Sequence, residues 1–121
     1  MKRTLKIIGL FLCLAISVQV LFAQTVRLPQ FKKGESYTNV RKKMIKSGWK
    51  PFRSPNADKC GKGDTRCQGR PEMEACAGTG EANCAFVWKR KGKIVSIFTI
   101  GEFATYSGYI PKSKWFAKKR Q

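Results

Sequence analysis

The side chains that could carry chemistry here are cysteines, a few carboxylates and many cations. Histidine, the commonest general base and metal ligand, is absent. Beyond the first residues the cysteines are Cys60, Cys67, Cys76 and Cys84, spaced C-x6-C and C-x7-C. Thiolate zinc sites favour close C-x2-C pairs, so these spacings point to disulfides and not to a metal ion. Three connectivities are open to four cysteines. Pairing Cys60 with Cys67 and Cys76 with Cys84 is expected, because each pair spans a glycine-containing segment that can fold back on itself. Sulfur held in disulfides supplies no nucleophile.

Seven acids remain. Glu72, Glu74 and Glu81 gather around the Cys76 to Cys84 segment, and Glu102 follows an apolar run. A Glu72/Glu102 acid and base pair would make a small hydrolase. Carboxylates so outnumbered more often pair with Lys or Arg, so a non-catalytic protein is expected. Gly78-Thr79-Gly80 lacks the further glycines and the following helix of a phosphate-binding loop, and reads as a turn. No cofactor is implied.

The cations fall into three groups. Arg41, Lys42, Lys43 and Lys46 lie in a helical pattern, and Lys89, Arg90, Lys91 and Lys93 surround a hairpin signal. Lys118, Lys119 and Arg120 follow Trp115 and Phe116 near the end. That last group has the composition of an interfacial anchor or polyanion-binding arm, or of a final strand with a solvated end.

These groups must be positioned by a short chain. Lys2, Arg3 and Lys6 precede a nearly unbroken apolar run from Ile7 to Val20, and Ala23 offers a small residue for cleavage. This reads as a signal peptide over 1–23, too short and too abruptly ended for a spanning helix. Cys13 does not fit lipid attachment, because bulky Leu12 precedes it. Residues 24–121 then form a single domain with 22 Lys+Arg against seven acids, a net charge of +15. So small a domain buries a modest core, and covalent staples matter correspondingly more. The charge attracts polyanions.

Within the domain, Gln24 to Lys33 is a polar lead-in. Ser36 can cap a helix whose stripe is Tyr37, Val40, Met44 and Ile45, with Gly48 at its end. Trp49 to Phe52 reads as a short strand that Pro51 confines to an edge, and 53–70 as a loop. "CAFVWKR" and "IVSIFTI" flank Lys91-Gly92-Lys93 as a hairpin. A two-residue loop sets Arg90 against Lys93, Trp88 against Val95 and Phe86 against Ile97. A loop one residue longer would match Trp88 with Ile94. The two-residue loop is preferred on the chemistry of short hairpins. Phe103 to Ile110 reads as a third strand. The class expected is α+β: one main helix packed on a small antiparallel sheet, with two disulfides.

G-x-S-Y-x-x-V-R-x-x-M-I-x-x-G-W-x-P over 34–51, R-P-E-x-x-x-C-x-G-T-G-x-x-x-C-x-F over 70–86, and Gly101-Glu102 resemble a group of small uncharacterised exported bacterial proteins. The resemblance implies an envelope location and a Cys76–Cys84 bridge; the Cys60/Cys67 pair departs from it. The helix-then-sheet order is also similar to small α/β modules of envelope assembly factors and of β-lactamase inhibitor protein, which bind other proteins. The expected function is a periplasmic or secreted binding protein with a basic surface. Its partner would be an acidic protein, met as an inhibitor or immunity factor meets its target, through Arg41, Lys42, Lys46, Lys89, Arg90, Lys91 and Lys93. Attachment to an anionic envelope polymer or lipid, led by Trp115, Phe116, Lys118, Lys119 and Arg120, is the alternative. Both are favoured over nucleic acid.

Overall fold

The computed structural model describes residues 26–112. The expected signal over 1–23 and the tail residues Trp115, Phe116, Lys118, Lys119 and Arg120 lie outside the described residues. One helix, α1 (Tyr37–Lys46), precedes five strands: β1 (Lys50–Pro51), β2 (Met73–Cys76), β3 (Cys84–Arg90), β4 (Lys93–Ile100) and β5 (Thr105–Pro111). All pairings are antiparallel, in the order β1-β3-β4-β5, with β2 also on β3. Among the described residues the sheet dominates and α1 is short, so the α+β expectation holds only roughly.

The Ser36 side chain accepts the Asn39 N–H at 3.3 Å, satisfying one of the free donors at the helix start. Tyr37, Val40 and Met44 turn inward and are fully buried. Gly48 follows the last turn at φ +87°, the left-handed ending that glycine accepts without strain. Ile45 departs from the expected stripe. It is 49% exposed, because the inward stripe of this ten-residue helix runs through Tyr37, Val40 and Met44.

The hairpin has the two-residue register: Arg90 opposes Lys93, Trp88 opposes Val95 and Phe86 opposes Ile97. Lys91 and Gly92 both have positive φ, +46° and +75°, as a type I′ turn requires. Phe86, Trp88, Val95 and Ile97 form one apolar face under the helix, and the Tyr37 ring stacks on Phe86 with centroids 3.7 Å apart. Full burial of such side chains contributes roughly 1.5–3 kcal/mol each.

β2 is a strand that no pattern in the sequence marks. It shares with β1 the outer edge of β3: Pro51 opposes Trp88, and Met73 opposes Phe86. Between these two short strands the edge of β3 stays hydrogen-bonded. Phe52 N–H donates to Val87 O at 2.9 Å, and Val87 N–H donates to Glu72 O at 2.8 Å. Cys60 is bridged to Cys67 and Cys76 to Cys84. Arg66, inside the first ring, donates to Asp64 and reaches the carbonyls of Ala77 and Ala82 at 2.8 and 3.1 Å, clasping the second. Among the described residues, no helix is long and apolar enough to cross a membrane.

Candidate functional site

Beneath the helix, Glu72 is fully buried just before β2 and is held by partners remote in sequence. Tyr37 O–H donates to its Oε1 at 2.9 Å, and Arg41 Nε donates to the same oxygen at 2.7 Å. Trp88 Nε1–H in turn donates to the Tyr37 oxygen at 3.1 Å. Arg70 stacks its guanidinium over the Tyr37 ring, 4.8 Å from the centroid. Burial, and then the Glu72 carboxylate, push the Tyr37 phenol well above its ordinary range, while the bond to Glu72 raises Arg41. Both carboxylate oxygens are engaged, so this is a satisfied buried network. Glu102, the other acid of the hydrolase reading, lies exposed in the β4–β5 turn.

The cations proposed as contacts divide. Arg41 turns under the helix to Glu72, whereas Lys42 and Lys46 are exposed on its surface. Lys89, Arg90, Lys91 and Lys93 surround the β3–β4 turn, beside the C-terminal end of α1. A Cβ placed on Gly48 would come within 3.4 Å of Arg90 Nε. β1 adds Lys50, opposite Lys89. Two pairs of like charges thus face each other across strands, Lys50 with Lys89 and Arg90 with Lys93. No acid occurs from Ser36 to Ala57 or from Ala82 to Gly101, the stretches that build this end. Among the described residues, none of the four ion pairs engages Lys46, Lys50, Lys89, Arg90 or Lys93.

The opposite end, where α1 begins, carries acids. Gly101 N–H donates to Glu81 O at 2.8 Å, which brings Glu81 beside the turn holding Glu102. Glu35 precedes Ser36, which bridges to Thr105 at the same end. Cations stand there too, since Lys33 shares a surface pocket with Glu81 and Lys43 pairs with Glu35 at 2.7 Å, so what sets the hairpin end apart is that the stretches building it carry no acid. Sequence reasoning found the hairpin cations but missed Lys50, whose place opposite Lys89 becomes visible only through the β1–β3 pairing.

Two further features complete the surroundings. On the outer face, Lys112 is 3% exposed and pairs with Glu74, which also accepts the Ser54 hydroxyl at 3.0 Å. Asp64, Cys67 and Cys76 bring potential ligand atoms within 4.8 Å of one another. Both sulfurs are in disulfides, which leaves no thiolate to hold an ion. No family model, curated protein or solved structure matches this chain.

Proposed function

We propose that the protein is an exported, non-catalytic binding protein that presents its basic sheet end to an acidic protein partner, in the manner of an inhibitor or immunity factor. The observation that carries this reading is the pair of like-charge oppositions, Lys50 with Lys89 and Arg90 with Lys93. Like charges directly opposite across strands destabilise a sheet, and a domain of this size has only a narrow stability margin. A site that keeps four cations in such positions gains when an anionic surface covers them. Field complementarity of this kind steers association and selects partners. Exposed Lys42 and Lys46 extend the surface along α1. The two disulfides and the export features of 1–23 support a periplasmic or secreted location.

Lys89→Glu/Lys93→Glu tests the reading without threatening the fold, because each new carboxylate faces an existing cation, Lys50 or Arg90. Affinity capture from periplasmic extract should retain an acidic protein at low salt and release it at about 0.5 M salt, where the screening length is only a few ångströms. The double variant should capture none of it. Capture indifferent to both salt and the variant would refute the reading. Binding transferred wholly to anionic vesicles would instead assign this end to the envelope surface.

A further inference from the structure

We propose that the groove between the lead-in segment and the β4–β5 end of the sheet binds a single-chain anionic amphiphile, an acyl chain ending in a carboxylate. The groove measures about 1100 Å3, large enough for a small-molecule ligand. Residues 26–31 form one wall. Trp49 Nε1–H donates to Arg27 O at 3.3 Å, and the Phe31 and Tyr106 rings meet with centroids 5.1 Å apart. Leu28, Phe31, Trp49, Val95 and Pro111 give it an apolar lining, with Tyr109 half-exposed, at 51%.

Charge decides the occupant. Arg27 and Lys93 stand in the lining and Lys112 closes one side against Glu74, while none of the described lining residues is an acid. An apolar trough with cations and no carboxylate matches a chain that carries an anion at one end. A neutral chain would leave Arg27 and Lys93 facing no anion, and a small anion would leave the apolar walls wet. The chain's own end is a poorer match. Beyond Lys112, Trp115 and Phe116 travel with Lys114, Lys118, Lys119 and Arg120, which repeat the charge of the groove. Lys93 belongs both to this groove and to the hairpin surface of the acidic-partner reading, so the two are told apart at Arg27 and Tyr109, which line the groove and lie outside the hairpin.

Dodecanoate, below its micelle concentration, is the probe, titrated by calorimetry and by backbone amide shifts in the full mature chain. A saturable one-to-one complex is expected, with shifts gathered at 26–31, Trp49 and 93–95. It should be at least tenfold tighter than the complex with dodecyl maltoside. Octanoate should bind more than tenfold less tightly, since each fully buried methylene is worth roughly fourfold in affinity. Arg27→Glu and Tyr109→Asp, both at exposed positions, should each weaken dodecanoate about tenfold while leaving the capture of an acidic protein intact. Equal binding of the neutral detergent, shifts elsewhere, or indifference to both variants would overturn the proposal. So would a silent wild-type chain that binds only after Trp115→Ala/Phe116→Ala, since the groove would then belong to the chain's own end.

Discussion

At the scale of single residues, the decisive contact is the phenol of Tyr37, which accepts from Trp88 and donates to Glu72. Removing that oxygen strands a buried indole N–H and takes one donor from a buried carboxylate. Tyr37→Phe should therefore destabilise the fold by about 1–3 kcal/mol, read as a shift of the urea midpoint. The same phenol sets the alkaline limb of stability. Its pKa in the fold is raised above the ordinary 10.0 by burial and by the neighbouring carboxylate. The unfolded chain then loses this proton first as pH rises. The contribution is complete below pH 10 and declines above it, by at most about 1.4 kcal/mol per pH unit. Tyr106, also raised by burial, leaves a residual slope in the variant. Stability curves for wild type and Tyr37→Phe should therefore converge above pH 10; parallel curves would show that the phenol is not what titrates. None of this was legible in the chain, where Tyr37 read as one of several apolar positions and Glu72 as an acid awaiting a nearby cation. Its cation, Arg41, lies 31 residues away, a separation that only the packing of α1 over β2 closes.

At the scale of elements, the β3–β4 hairpin was readable because its information is local: alternating side chains and a two-residue turn fix which residues face each other. β2 was not. It is four residues long, carries Glu74 within it and is broken by a register shift between Met73 and Ala75, so it exists through pairing with β3. The helix fell between these cases. Its cap and its terminal glycine are local signals, whereas the exposure of Ile45 depends on what lies beneath the helix. The basic surface was legible as cations but not as a place, since the β1–β3 pairing brings Lys50 to the hairpin. The turn itself offers a test that separates stability from binding. Lys91 sits at φ +46°, a conformation Asn tolerates better than Lys, and Asn-Gly is the favoured pair for this turn. Lys91→Asn should raise stability by several tenths of a kcal/mol, up to about 1, while weakening capture of the acidic partner proposed above. Movement of both quantities in the same direction would separate the turn from the binding surface.

Across the whole molecule, a small and strongly charged domain is held by two covalent rings joined by one arginine. The chain-entropy account treats the rings alike, since their cysteines are separated by 7 and 8 residues, and assigns each about 2–3 kcal/mol through the unfolded chain. The folded structure treats them differently. Cys76 and Cys84 oppose each other across β2 and β3, so their bridge holds the strand that places Glu72 beneath Tyr37. Cys60 and Cys67 close a surface ring that reaches the rest mainly through Arg66 and the buried Cys67. Cys76→Ala/Cys84→Ala should therefore lower the melting temperature more than Cys60→Ala/Cys67→Ala, by roughly 10–20 °C against wild type for a domain of this size. The first pair should also be non-additive with Tyr37→Phe, because a frayed β2 no longer presents the carboxylate that the phenol holds. The second pair should be additive with it. Equal losses, with additivity in both cycles, would mean that the rings act only on the unfolded chain and that β2 is held in place by its neighbours without the bridge.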